Sequence, residues 1–316
     1  MRLKPALVWL AVFVSVASAD PLAISTSPLG SGDFGPLRWR GGLELSSSDK
    51  NFGGLSGLTL SDDCTELLAV SDTGLWFRAF LTYQGESLVQ ISGAEIAPVL
   101  DSQGQPLKRK AVSDAEAVAA LGKGRYMVGF ERRARIGVYD IGKAGFKARF
   151  QLLKSPMAIA EGPRNGELEA VGRFTAGPWN GNYLAISENH LNEQGHIRGW
   201  LWEKEKTVAF SISRREDYSI TDAAILPDGD VLILERSASF PPGMAIRRIK
   251  ATDIGVGVTV EPQILFAGRA PFYAIDNMEG IALCERNGET RLTILSDNNF
   301  NAALQRTLLL QFAYTP

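Results

Sequence analysis

Ser56-Gly-Leu-Thr-Leu60 followed by Leu67-Leu-Ala-Val-Ser-Asp72 is a short apolar strand, a polar turn, and a second apolar strand ending in an acid. The same phrase returns four times. It reads Glu116-Ala-Val-Ala119 with Tyr126-Met-Val-Gly-Phe-Glu131, then Glu169-Ala-Val-Gly172 with Tyr183-Leu-Ala-Ile-Ser-Glu188. Asp222-Ala-Ala-Ile225 with Val231-Leu-Ile-Leu-Glu235, and Glu279-Gly-Ile-Ala282 with Leu292-Thr-Ile-Leu-Ser-Asp297, complete the series. The openings at 56, 116, 169, 222 and 279 lie 60, 53, 53 and 57 residues apart. A period near 50 residues, built from short strands, is the signature of a β-propeller.

Working outward, each unit holds room for four strands. Ile136-Gly-Val-Tyr139 and Ala148-Arg-Phe-Gln-Leu-Leu153 follow the second copy, and Gly199-Trp-Leu-Trp202 and Thr207-Val-Ala-Phe-Ser-Ile212 the third. Turn signals such as Pro227-Asp-Gly-Asp230 and Asn287-Gly288 separate the strands. The last copy has only one further strand, Thr307-Leu-Leu-Leu-Gln-Phe312, and an unmatched Leu37-Arg-Trp-Arg40 with Leu43-Glu-Leu45 precedes the first. Pairing the two would complete the last blade and remove the exposed sheet edges. The expectation is an all-β chain with five four-stranded blades, closed by the N-terminal strand. Six blades remain the alternative if 20–50 or 90–115 hides further strands.

The 316 residues are 45% hydrophobic and 22% charged, which excludes disorder and allows a sizeable core. Thirty-three basic residues against 35 acidic leave a net charge of −2, with no overall footprint for nucleic acid or an anionic surface. Arg2 and Lys4 precede the apolar stretch Ala6–Val16, and Ala17-Ser18-Ala19 supplies small residues for cleavage before Asp20. Residues 1–19 therefore read as a Sec signal peptide, and residues 20–316 as a single exported domain, periplasmic or secreted. No later run is long enough to cross a bilayer as a helix. The mature chain is expected to be a monomer. In an oxidising compartment Cys64 and Cys284 can pair. Cys64 lies in the first inner hairpin turn and Cys284 begins the corresponding turn of the last copy, on blades that ring closure makes neighbours. Their turn positions differ by about three residues, so a bridge and two buried thiols both stand.

Propeller geometry turns the repeated acids into a site. The innermost strand starts, and the second strand ends, at one mouth of the central channel. Glu116, Glu169, Asp222 and Glu279 take the first position, with Ser56 as the exception. Asp72, Glu131, Glu188, Glu235 and Asp297 take the second, and Asp114 and Glu167 add charge. So many carboxylates in one funnel must be protonated or neutralised by cations. Arg132 and Arg236, each directly after a second-strand acid, offer internal pairing. Oxygen donors without clustered His or Cys suit Ca²⁺, with Mg²⁺ as the alternative. Of the two histidines, His190 in Ser187-Glu-Asn-His190 falls at this mouth as a possible base. No G-x-S-x-G elbow, H-E-x-x-H helix, P-loop or G-x-G-x-x-G fingerprint is present.

Phe52-Gly-Gly-Leu-Ser-Gly-Leu58 with Val70-Ser-Asp-Thr-Gly74, Asp114-Ala-Glu-Ala117, Phe130-Glu-Arg132, Asn277-Met-Glu-Gly-Ile281 and Leu295-Ser-Asp-Asn-Asn-Phe300 together resemble the bacterial phytase-like family, described as having esterase-like activity. Gln305-Arg-Thr-Leu-Leu-Leu-Gln-Phe312 is similar to that family's C-terminal signature, and the resemblance runs from about residue 38 to 313. It implies an exported propeller that hydrolyses ester or phosphoester bonds of a small anionic or ester substrate. Joined to the acids, it implies Ca²⁺ held by Asp72, Glu116, Glu169, Asp222, Glu235, Glu279 and Asp297. Arg132 and Arg236 would hold the substrate, and Glu131, Glu188 or His190 would act as base. Two other functions stay open: a non-catalytic propeller that binds a ligand or protein, and a lactonase resembling the gluconolactonase propellers.

Overall fold

The computed structural model describes residues 19–163, 166, 168–215 and 217–315. The expected signal peptide, apart from Ala19, and Glu167 lie outside the described residues. Five small sheets form five blades, each a meander whose first strand is innermost. Blade 1 runs outward through Leu55–Leu60, Glu66–Ser71, Leu75–Gln84 and Ser87–Pro98. Blade 2 comprises Ala115–Gly122, Arg125–Phe130, Arg135–Asp140 and Gln151–Leu153. Blade 3 comprises Ala170–Arg173, Tyr183–Leu191, Ile197–Glu203 and Lys206–Ile212, with Thr259–Val260 added in parallel outside it. Blade 4 comprises Ser219–Ile225, Val231–Ser237, Gly243–Ile249 and Gln263–Arg269.

Blade 5 closes the ring. Asn277–Arg286, Glu289–Asp297 and Thr307–Tyr314 are followed outward by Leu37–Ser46, which pairs antiparallel from Thr307 opposite Leu45 to Tyr314 opposite Leu37. The incomplete last repeat and the unmatched N-terminal strand complete one another, as the repeat arithmetic requires. The chain then continues this work at the outside. Ser25–Pro28 pairs with Leu37–Ser46 as a fifth strand of blade 5, and Asp20–Pro21 pairs opposite Ile96 and Glu95 as a fifth strand of blade 1. One strap thus covers the edges of both blades at the seam.

The cores lie between blades. Trp76, Trp200, Trp202, Phe130 and Phe312 are fully buried there. The inner strand of blade 1, Leu55–Leu60, is buried at every residue, so close packing against its neighbours demands small side chains. A Cβ on Gly57 would lie 2.4 Å from the Val118 nitrogen of the next blade. At the seam, Gly41 has φ +124°, and a Cβ there would lie 2.3 Å from the Leu88 carbonyl oxygen, so only glycine lets blades 5 and 1 approach this closely.

The seam is also joined covalently. Cys64 and Cys284 form a disulfide with their Cα atoms 5.4 Å apart, joining the first inner hairpin to the last. The three-residue offset in turn position does not prevent the bridge, because Cys284 lies within Asn277–Arg286 and not in its turn. Beside it, the fully buried Arg291 guanidinium donates 2.8 Å to the Glu86 carbonyl oxygen and pairs with the carboxylates of Glu86 and Glu289. Glu289 in turn receives Arg38 and Arg40. Among the described residues no helix is long and apolar enough to cross a membrane.

Candidate functional site

The second strand of every blade has the same construction. Five residues run from Leu67, Tyr126, Tyr183, Val231 or Leu292, and the sixth emerges at the channel mouth. The sixth residues are Asp72, Glu131, Glu188, Arg236 and Asp297. Opposite them, the inner strand slips register in four blades. In blade 2, Ala115 pairs with Phe130 and Ala117 with Gly129, which leaves Glu116 unpaired. In blade 5, Met278 pairs with Ser296 and Gly280 with Leu295, which leaves Glu279. Blade 1 skips Ser56 and Gly57 in the same way. Such bulges re-aim a side chain, and here they turn it into the channel. In blade 3, Glu169 takes the corresponding place directly before Ala170, donating its own N–H to the Ile186 carbonyl.

Blade 4 departs by one residue. Ile220 pairs with Glu235 and Asp222 with Leu234, so the skipped residue is Thr221. Thr221 and Arg236 therefore hold the places that sequence reading assigned to Asp222 and Glu235. Side chains alternate along a strand, so a slip of one turns both acids away from the mouth. Neither lines the cavity. Glu235 is buried against Arg247 at 2.7 Å, with Arg215 at 3.6 Å. Burial holds its carboxyl above the usual range, and Arg247 opposes that shift. Asp222 is buried in the ring's interior and accepts the N–H groups of Ala223 and of Ile281 on blade 5, each at 2.8 Å. Burial pushes its carboxyl well up, against the pull of the Ile281, Ala223 and Leu58 N–H groups.

Asp222 thus knits blades 4, 5 and 1 at the axis. Asp222→Ala would leave those buried donors unpaired at about 1–3 kcal/mol each. The expected fall in the thermal midpoint is roughly 10 °C, taking about 2–4 °C per kcal/mol for a chain of this size. Asp222 does not line the mouth, so the effect should be on stability alone, which a thermal melt of the variant beside the wild type checks.

The mouth itself is a cavity of about 220 Å³ lined by Asp72, Glu116, Glu131, Glu169, Glu188, Glu279 and Asp297, with Ser56, Arg236 and Asn299. Seven carboxylates meet one guanidinium. Ser56 Oγ donates to Glu116 Oε2 at 2.8 Å, and Asn189 donates to Glu188 Oε2 at 2.9 Å. Arg236 Nη1 donates to Asn277 Oδ1 at 2.7 Å, and its Nε lies 3.4 Å from Glu279 Oε1. Asn277 Nδ2 completes this group at 2.6 Å from Glu279 Oε1.

Desolvation dominates the electrostatics. It pushes Glu116 and Glu169 well above the ordinary carboxylate range, and the neighbouring acids (Asp114 beside Glu116, and Glu116 and Glu188 beside Glu169) push further. Burial raises Glu279 to about 7 despite Arg236, and Asp297 to about 6 despite its backbone hydrogen bonds. Arg236 is held above its usual value, chiefly by Glu279.

Two sets of three carboxylates bring an oxygen each within 4.8 Å of one another: Asp114, Glu116 and Glu131, and Glu131, Glu169 and Glu188. Glu131 belongs to both. Asp114 is fixed from outside by Arg132 Nε and by Lys110 Nζ at 2.6 Å, and Lys110 reaches Asp72 Oδ2 at the same distance. Arg132 therefore braces the acids from outside and does not line the cavity. His190 also stays out of it. Its ring packs against Trp200 at 5.4 Å between centroids, and burial holds it below its ordinary pKa. Sequence reading did not assign to the site Asn277, the first residue of the innermost strand of blade 5, or Asn299, on the loop beyond Asp297.

No curated protein matches the sequence. Similar folds include the structure of RS223-Beta-xylosidase, at 10% identity and TM-score 0.48 over 89% of this chain and 96% of that one. An exo-1,5-alpha-L-arabinanase from a bovine ruminal metagenomic library matches at 11% identity and TM-score 0.46, over 83% and 94%. A chain of the mitotic checkpoint complex matches at 9% and 0.44, over 99% and 97%. Likenesses this distant say nothing of chemistry. The family comparison is closer. The pattern described as "Phytase-like: Esterase-like activity of phytase" matches residues 50–300. Because that match runs from ahead of the first inner strand to the rim loop beyond Asp297, the chain belongs to the phytase-like family.

Proposed function

We propose that this chain is an exported hydrolase of ester or phosphoester bonds that works with a divalent cation, Ca²⁺ in preference to Mg²⁺, at the acidic mouth. The observation that carries the reading is the pair of three-carboxylate sets sharing Glu131, of which all but Asp114 line one cavity with Arg236. The donor set fits the ion: it is all oxygen, abundant and anionic, as hard cations require. A cation would also offset the crowding of charge in the cavity. Seven clustered carboxylates with one guanidinium are otherwise forced toward protonation, as Glu116 and Glu169 show. Asp114, Glu116, Glu131, Glu169 and Glu188 are the residues that would hold it. Bound there, the ion would polarise a phosphoryl or carbonyl oxygen and acidify a coordinated water.

The remaining tasks fall to the chain's own residues. Arg236, steadied by Asn277, would hold an anionic substrate oxygen through its planar fork. Glu279, with a pKa near 7 beside that guanidinium, can give or take a proton near neutrality. Export is supported by the Cys64–Cys284 disulfide, a bond of oxidising compartments.

The test is turnover of p-nitrophenyl phosphate and p-nitrophenyl acetate in Ca²⁺ and in excess EGTA. The expected outcome is hydrolysis of at least one substrate, lost with the chelator. Arg236→Gln should then raise KM for the phosphoester about tenfold or more and spare the neutral acetate. No turnover of either substrate under any metal condition would favour a ligand-binding propeller.

A further inference from the structure

The channel has a second end, built differently from the acidic mouth. A cavity of about 180 Å³ is lined there by residues of all five inner strands, among them Thr59, Val118, Arg173, Ala224 and Ile281. Among the described residues, none lines both this cavity and the mouth. In blade 4, Asp222 falls between Thr221, which holds the mouth position, and Ala223, which lines the second cavity. Its carboxyl group accepts the N–H groups of Leu58, Ala223 and Ile281, and all three residues line that cavity. This tie across blades 4, 5 and 1 marks the boundary between the two ends.

The side chains of the second cavity are aliphatic apart from Thr59, Arg173 and Thr175, among the described residues. Leu58, Val118, Val171 and Ile281 are buried, whereas Ala120 and Thr175 are exposed. The closed end is therefore apolar, and the polar groups of Arg173 and Thr175 lie toward the opening. Ala119, Ala223, Ala224 and Ala282 leave space that larger aliphatic side chains would fill.

Arg173 is the single charged side chain of this lining among the described residues, and it is half-buried. Its guanidinium packs on the Tyr183 ring at 5.7 Å, and Tyr183 lies against Trp202 at 5.3 Å between centroids. Its Nε is buried with no hydrogen-bond partner, and among the described residues no carboxylate or carbonyl oxygen receives the guanidinium. Arg236 at the mouth, by contrast, is taken up by Asn277 and Glu279. A cation drawn partly out of water without an anion carries the desolvation cost and lacks the partner that offsets it.

We infer that this end of the channel binds a small aliphatic carboxylate, its tail in the apolar closed end and its carboxylate on Arg173. A planar guanidinium matches a carboxylate through paired hydrogen bonds, and the Thr175 hydroxyl is a further donor at the opening. An inorganic anion would leave the apolar end unfilled. Sites for drug-sized ligands begin at about 300 Å³, so this smaller cavity fits an acid of only a few carbons. Binding here would involve no residue that lines the acidic mouth.

The experiment is isothermal titration of the full, disulfide-bonded chain with sodium hexanoate, with 1-hexanol and sodium chloride as controls. EGTA is present so that no divalent ion links the acid to the mouth. Saturable binding of hexanoate is expected, with a rise in the thermal midpoint by mass action, and 1-hexanol should bind at least about tenfold more weakly. Arg173→Gln should weaken hexanoate by at least about tenfold, while Arg236→Gln leaves it unchanged. Arg173→Lys, a smaller change, keeps the charge without the planar fork and should bind about threefold or more weakly. Neither Arg173 variant removes an ion pair or hydrogen bond of the described residues, so both should melt with the wild type. No saturable binding, or 1-hexanol bound as tightly, would overturn the inference. So would unchanged binding by both Arg173 variants, or loss of binding in Arg236→Gln, which would move the acid to the mouth. Titration reads no turnover, so these outcomes are separate from the hydrolase assay.

Discussion

Glu131→Gln should abolish the response of this protein to Ca²⁺ while leaving the metal-free form as stable as the wild type, or more so. The opposite signs follow from the cavity. Without a cation, Glu131 is one of seven crowded carboxylates, and neutralising it relieves repulsion. With a cation, Glu131 is the one residue common to both three-carboxylate sets, so its loss damages both. Wild-type protein at a Ca²⁺ concentration of about 100 times Kd should gain about 2.7 kcal/mol by mass action. For a chain of this size that is a rise of roughly 5–10 °C in the thermal midpoint. Glu131→Gln should show almost none of it and should lose hydrolysis by at least about 100-fold, since outer partners of metal ligands alone are worth about 10–100-fold. Glu169→Gln touches only one set and should keep part of the shift. Differential scanning calorimetry in Ca²⁺ and in EGTA reads all of these. A wild-type midpoint indifferent to both would mean that Arg236, Lys110 and Arg132 neutralise the acids without a metal.

Cys64→Ser with Cys284→Ser should produce the largest loss of stability of any substitution proposed here. The bridge closes a loop of 220 residues. In the chain-entropy treatment, restraining so long a loop in the unfolded chain contributes about 5 kcal/mol, so the midpoint should fall by roughly 10–20 °C. The double variant should still fold, because the seam keeps the pairing of Leu37–Ser46 with Thr307–Tyr314 and the buried Arg291 contacts. Thermal melts with and without reductant measure the effect. Reductant should lower the wild type toward the variant and leave the variant unmoved. Equal midpoints for the two proteins would show that the noncovalent seam alone sets the ring's stability.

The ring was legible in the sequence because strand pairs repeat at a nearly constant interval. Leu43-Glu-Leu45 and Thr307–Phe312 were each incomplete alone, so closure followed from arithmetic. The convergence of acids was legible in outline: Asp72, Glu116, Glu131, Glu169, Glu188, Glu279 and Asp297 line one cavity. The error lay in blade 4. There an acid stands one place beyond Thr221 and another one place before Arg236, so matching acids by type slid the repeat by one. Counting six residues from the first apolar residue of each second strand would have found Arg236. His190 failed differently: it lies two residues past Glu188, where the chain has already left the axis and packs on Trp200. Asn277 stands two residues before Glu279, as Asp114 does before Glu116, but is not an acid and so was passed over; the outer strap and Asn299 had no repeat to announce them.

Ring closure by the N-terminal strand also sets an order of events in time. Leu45 is synthesised long before Thr307, yet each is the other's partner in blade 5. Until the final strand arrives, Leu37–Ser46 has no inner neighbour, and the strap beyond it has no finished edge on which to rest. The four earlier blades can form as local meanders, but the ring cannot shut, nor Cys64 meet Cys284 in its native setting, before Thr307–Tyr314 has emerged. A polypeptide threaded unfolded through a narrow translocation channel would have to delay just this step. Thr307–Tyr314 acts as the latch, so truncation within it would leave an open, edge-exposed crescent prone to pairing with another copy.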